Sequence, residues 1–260
     1  MRIKQSVCYP MMKPPGMPLD AFASMVAAMG YSAIELWGRG DDFLDVVEIA
    51  NRHDLVIASM IGHNSLGVGL NDASQHPRIE AELRESIDLA ARYGIPGLIC
   101  FSGNRRLGVS EDEAVANTVI GLRRIAPYAE ACGVNLNMEL LNSKVDHAGY
   151  QCDHTAWGVA VCEQVASPNV KLLYDIYHMQ IMEGDIIRTI SDTIRWIGHF
   201  HTAGVPGRRE IGQTQELNYG AICRAIADLG YNLYVGHEFR PVGDLAESLR
   251  VAYSICDQGS

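Results

Sequence analysis

The chain has 260 residues, with 31 Asp and Glu against 21 Lys and Arg and a formal charge of −10. At 48% hydrophobic and 20% charged residues it is globular in composition, and long enough to bury a core without disulfide or zinc staples. The acidic excess argues against a nucleic-acid partner, whose phosphates need a cationic face, and no apolar run approaches the roughly 18 residues of a membrane span.

The opening MRIKQSVCYP turns polar and proline-bearing too soon for a signal peptide, and seven cysteines without a CxxC pair point to reduced thiols in a cytoplasm. Short β-branched runs then alternate with longer amphipathic stretches. The spacing predicts strands at 3–9, 33–37, 56–61, 97–101, 135–140, 170–175, 197–201 and 233–238. Helices are expected near 19–29, 42–53, 77–93, 111–132, 154–166, 184–195, 219–229 and 243–256. Ser110 to Glu113 reads as a capping box. Gly30, Gly94, Gly133 and Gly230 each follow a helical run at the position of a left-handed C-terminal cap. Eight βα units of about 32 residues match a (β/α)8 TIM barrel occupying residues 1–260 as a single domain. An open doubly wound sheet fits less well, because no Gly-rich phosphate fingerprint follows the first strand.

In such a barrel the strand C-termini and the loops after them form the active face. The last four predicted strands each end in a metal-competent residue: Glu139, Asp175, His201 and Glu238. Each one alone reads as a helix cap or loop solvator, but four successive strands converge on one place. Three carboxylates and an imidazole suit Mn²⁺ or Mg²⁺, with Co²⁺ or Zn²⁺ as further options. A structural zinc site would want thiolates, and none stands at these positions.

His199 shares a strand face with His201 but lies further from the active end, so it reads as a buried hydrogen-bonding residue. His237 has the opposite parity to Glu238 and reads as structural. His178 is placed to meet a substrate oxygen if the chain turns after Asp175, or else simply begins a helix. The long segment 202–218 carries Arg208, whose planar fork suits a substrate carboxylate or hydroxyl; a solvated charge run is the plainer reading. Lys144, Arg105 and Arg106 are weaker candidates for the same task. Glu35 is either a substrate contact at the rim or structural. Cys100, Cys152 and Cys162 read as small core or helix residues.

A divalent ion holding a carbonyl and a neighbouring hydroxyl lowers the energy of an enediolate, with Glu139 and Glu238 as base and acid. Such a site supports ketose–aldose isomerisation, epimerisation or hydrolysis by bound water. The segments DIYHMQIMEGD (175–185), IGHFHTAGVPGRREI (197–211), QELNY (215–219), MELLNSK (138–144), CDHTAWG (152–158) and YVGHEFRP (234–241) resemble the hydroxypyruvate isomerase family of the xylose-isomerase-like TIM barrels. The resemblance covers the second half of the chain. It implies metal ligation by Glu139, Asp175, His201 and Glu238, catalysis by the two glutamates, and substrate contacts from His178 and Arg208. It also implies conversion of hydroxypyruvate to 2-hydroxy-3-oxopropanoate (tartronate semialdehyde). Better-known members carry Gln where His201 stands, whereas ketose 3-epimerases carry His, so a 3-epimerase is the alternative. An endonuclease of the same barrel class fits the charge of −10 poorly, and an inactive sugar-binding barrel would be expected to lack an acid–base residue. The partner expected is therefore a small hydroxy-keto acid or ketose, with neither nucleic acid nor membrane; a homo-oligomer is compatible but not specified.

Overall fold

Alternation of β-branched strands with amphipathic helices produces the expected barrel. The computed structural model describes residues 3–258, so residues 1, 2, 259 and 260 of the expected domain lie outside it. Strands β1 (Lys4–Cys8), β2 (Ala33–Glu35), β3 (Val56–Ile61), β4 (Gly97–Cys100), β5 (Asn135–Glu139), β6 (Val170–Asp175), β7 (Ile197–Thr202) and β8 (Tyr234–His237) close in sequence order. The helices are α1 (Tyr9–Met12), α2 (Leu19–Ala28), α3 (Phe43–Arg52), α4 (His76–Tyr93), α5 (Glu111–Cys132), α6 (Thr155–Val165), α7 (Ile176–Met182), α8 (Ile186–Thr193), α9 (Tyr219–Asp228) and α10 (Leu245–Cys256). Every predicted strand and helix has a counterpart, and α1 and α7 are additional. All seven thiols are free. No helix among the described residues is long and apolar enough to cross a membrane.

The chain divides into two units. The first takes the segment through Met60, then Asp185–Ile194, and the segment from His199 onward. Here β8, β1 and β2 pair in parallel, with Ser6 opposite both Ala33 and Gly236. Alternate residues divide between two faces. Gln5, Thr202 and His237 hydrogen-bond on one, where Gln5 also donates to the Tyr253 carbonyl of α10. Ser6, Glu35, His199 and His201 meet on the other. Phe22, Ile34, Phe200, Ile226, Val235 and Leu249 are fully buried around them.

The second unit takes Ile61–Gly184 and Arg195–Gly198. Strands β4, β5 and β6 pair in parallel and carry Leu98, Leu136, Met138 and Leu172 into its core. Ser110 accepts from Glu113 N–H at the start of α5, the forward half of the expected capping box. Gly94 and Gly133 end α4 and α5 in the left-handed conformation their sequence position required (φ 70° and 68°).

After β3, His63 is 2% exposed and its Nε2 accepts the Phe101 N–H at 2.9 Å. Burial pushes its pKa down to about 4; Glu82 opposes that shift weakly and Arg78 adds to it. The unfolded chain therefore takes the proton first as pH falls. Stability present above the ordinary value of 6.5 is lost as pH drops toward 4, by about 3 kcal/mol. In urea unfolding between pH 7 and 4.5, His63→Gln, which keeps an acceptor for Phe101, should lose correspondingly less stability than the wild type. Identical pH dependence in both proteins would contradict this.

Candidate active site and metal centre

The first unit presents Glu238, immediately after β8 and 5% exposed. Its Oε1 accepts from Trp37 Nε1–H at 2.9 Å and lies 3.7 Å from Cys8 Sγ. Its Oε2 accepts from Arg208 Nη2–H and lies 3.3 Å from His201 Nδ1. Burial raises the carboxyl pKa, but His201 and Arg208 outweigh it and hold Glu238 well below the usual carboxylate range. Arg208 reaches this place because its loop folds back: Gly204 N–H bonds Arg209 O at 2.7 Å, and Arg240 N–H bonds Arg208 O at 2.8 Å. Arg208 itself has φ 55°, a region costly for a residue with a side chain. Such strain persists where the surroundings over-determine it, commonly at functional sites.

His199 and His201 both point Nε2 at Glu35 Oε2, each at 3.0 Å. His199 is thus the buried hydrogen-bonding residue expected. Glu35 is 1% exposed, with Ser6 on one carboxylate oxygen and the two histidines on the other. His237 is pushed by burial down to about 3 and is fixed by Thr202 and Gln5, a structural role as its parity required.

The second unit presents Asp175 at the end of β6 and Glu139 at the end of β5. Asp175 also caps α7, accepting His178 N–H at 3.1 Å. The chain does turn after Asp175, by starting this seven-residue helix. His178 is fully buried; its Nδ1 accepts Asn142 N–H at 3.1 Å, so the hydrogen resides on Nε2, 3.6 Å from Asp175 Oδ2. Asn142 and Asp146, which supply this side of the network, were not anticipated: neither carries a strand-end signal. Lys144, a weaker candidate for a substrate contact, is engaged within its own unit. Its Nζ donates to the carbonyls of Ile181 and Met182 at 2.9 and 3.0 Å, a favourable use of a cation at a helix C-terminus. Arg105 is likewise engaged by Asp153 and Glu111, and Arg106 by Asp72.

Glu139, Asp175, His201 and Glu238 are all buried, and each offers one ligand atom within 4.8 Å of the others. Three carboxylates and one imidazole buried this closely fit a divalent cation, since like charges at low dielectric require a counter-charge. The oxygen-rich set favours a hard ion. A second group, Glu35, His199 and His201, meets the same distance criterion, but its 3.0 Å contacts are accounted for by hydrogen bonds.

The model of the xylose isomerase-like TIM barrel family matches residues 23–255. The chain belongs to that family. Among relatives, the hydroxypyruvate isomerase of Escherichia coli K12 is 33% identical over 178 residues, covering 67% of this chain and 68% of that protein. The 2-oxo-tetronate isomerase of Cupriavidus necator is 36% identical over 174 residues, 64% of each chain. Among solved structures, the family 2 AP endonuclease of Brucella melitensis superposes with a TM-score of 0.80 at 23% identity, covering 96% of this chain and 97% of that one; the likeness is one of fold.

For this xylose isomerase-like barrel, Mn²⁺ should raise the melting temperature, as any ligand selective for the native state does, and EDTA should reverse the shift. Asp175→Asn should abolish it. A shift that survives Asp175→Asn would place the ion elsewhere.

Proposed function

We propose that this chain, a single xylose isomerase-like barrel domain, is a metal-dependent isomerase that interconverts hydroxypyruvate and 2-hydroxy-3-oxopropanoate. The observation that carries the reading is the Arg208 guanidinium on Glu238 inside a carboxylate-rich cluster. It sets a carboxylate-reading cation directly beside a proton-transfer group. The isomerase relatives named above act, by name, on hydroxypyruvate and 2-oxo-tetronate, both small hydroxy-2-keto acids.

Glu139, Asp175, His201 and Glu238 would hold the ion, with Mn²⁺ or Mg²⁺ the best match to the donor set and Co²⁺ or Zn²⁺ accommodated. A bound divalent cation would supply the positive charge that polarises the substrate carbonyl. Arg208 binds the substrate carboxylate through its fork. In doing so it withdraws from Glu238 Oε2 and makes that carboxylate more basic. One glutamate then removes a proton from C3, and the other delivers one to C2. The C3 hydroxyl proton passes to the C2 oxygen, so the keto acid becomes the aldehyde without net gain or loss. His178, with Nε2–H beside Asp175, steadies that carboxylate and donates toward the substrate. The partner is a small acid in the cytoplasm, with no nucleic acid or membrane involved. The alternative is a ketose 3-epimerase, which the imidazole at 201 favours.

Proton NMR of hydroxypyruvate with Mn²⁺-loaded protein should show the aldehyde or its hydrate. Turnover of ketoses with none of hydroxypyruvate would select the epimerase. Glu139→Gln and Glu238→Gln should each lower kcat at least about a hundredfold with the fold intact by circular dichroism, and near-wild-type turnover would remove that residue from acid–base work. Arg208→Lys, which keeps charge but loses the fork, should raise KM for the keto acid more than it lowers kcat; an unchanged KM would exclude Arg208 as the carboxylate contact.

A further inference from the structure

Glu35 on β2 collects three donors within the first unit. Ser6 Oγ–H bonds Oε1 at 2.6 Å, and the Nε2 atoms of His199 and His201 each lie 3.0 Å from Oε2. The opposite strand has been cleared for this cluster. A Cβ on Gly236 of β8 would stand 2.0 Å from Glu35 Oε1 and 3.0 Å from His201 Cδ2, so a side chain there would push the Glu35 carboxylate out of this place. The two imidazoles meet edge to face, centroids 5.1 Å apart at 84°, which props each ring against rotation.

Three groups thus converge on this one carboxylate, two of them ring nitrogens on the same oxygen. An ionised carboxylate only accepts hydrogen bonds, so both Nε2 atoms must carry the hydrogen. For His201 that leaves Nδ1 as the nitrogen with the lone pair, and Nδ1 is the atom 3.3 Å from Glu238 Oε2. Arg208 offsets the charge of that oxygen from one side, and a cation facing both Nδ1 and Oε2 would turn their mutual repulsion into joint ligation.

We propose that Glu35 is a positioning residue that locks His201 in its Nε2–H form and so presents Nδ1 as a ligand to the divalent cation. This deepens the metal reading of the preceding subsection and rests on it. It also explains why an imidazole at 201 comes with a buried carboxylate partner. An amide oxygen ligates without tautomeric choice, whereas an imidazole needs a partner to decide which nitrogen faces the ion. Glu35 does not touch substrate; it acts through His201.

The test uses the whole protein. Mn²⁺ binding, followed by the electron paramagnetic resonance of the free ion, should weaken 10- to 100-fold in Glu35→Gln, the range for loss of an outer partner of a metal ligand. Asp175→Asn should abolish binding. In Zn²⁺-loaded wild type labelled with ¹⁵N-histidine, the signal pair missing from His201→Gln should show a proton-bearing Nε2 and a metal-shifted Nδ1. Since this spectrum is recorded on the unmutated protein, it stands even if Glu35→Gln fails to fold. Wild-type affinity in Glu35→Gln would overturn the positioning role. So would a His201 Nε2 without its proton, which would put the ion between Glu35 and the two histidines instead. Absence of Mn²⁺ binding in the wild type would overturn the metal reading itself and this inference with it.

Discussion

Carboxylates buried side by side repel one another, and low dielectric magnifies that repulsion. Glu139, Asp175 and Glu238 are at most 6% exposed, and the structure around them consists of answers to that cost. Arg208 leans on Glu238 from a strained backbone position. His178 N–H bonds Asp175, and His201 sets Nε2 at 3.0 Å from Glu35 and Nδ1 at 3.3 Å from Glu238. In the proposed function a divalent cation would complete the compensation, and each protein contact would then aim a donor rather than neutralise one.

The strand ends were legible because period-two alternation fixes which residue faces which way once the strand is placed. Strands at 56–61 and 170–175 match at both ends, and helix 111–132 does too, with Ser110 and Gly133 marking its limits. The same parity put His199 and His201 on one face, where both meet Glu35. Short elements escaped because a single turn has no periodicity to detect. Helix α1 is four residues long, and α7 is seven, hidden directly behind a strand whose last residue is also its cap.

Partnerships between distant residues were less legible. Lys144 sits in the loop where a substrate cation was expected, yet its amine is bonded to the end of α7, a helix the sequence did not reveal. Glu35 read equally as a rim contact or a structural residue, because nothing local shows that Gly236, some two hundred positions away, leaves the space into which it turns. Trp37 lies two residues beyond the end of β2, and its bond to Glu238 follows only from the pairing of β1 between β2 and β8.

The most direct measurement is anomalous diffraction from a crystal grown with Mn²⁺ and recorded above the manganese edge. The expected result is one strong peak coordinated by Glu139, Asp175, Glu238 and the Nδ1 atom of His201, with Glu35 still bonded to Nε2 of the same ring. A peak ligated by Glu35 and His199, or none among the four residues, would contradict the account.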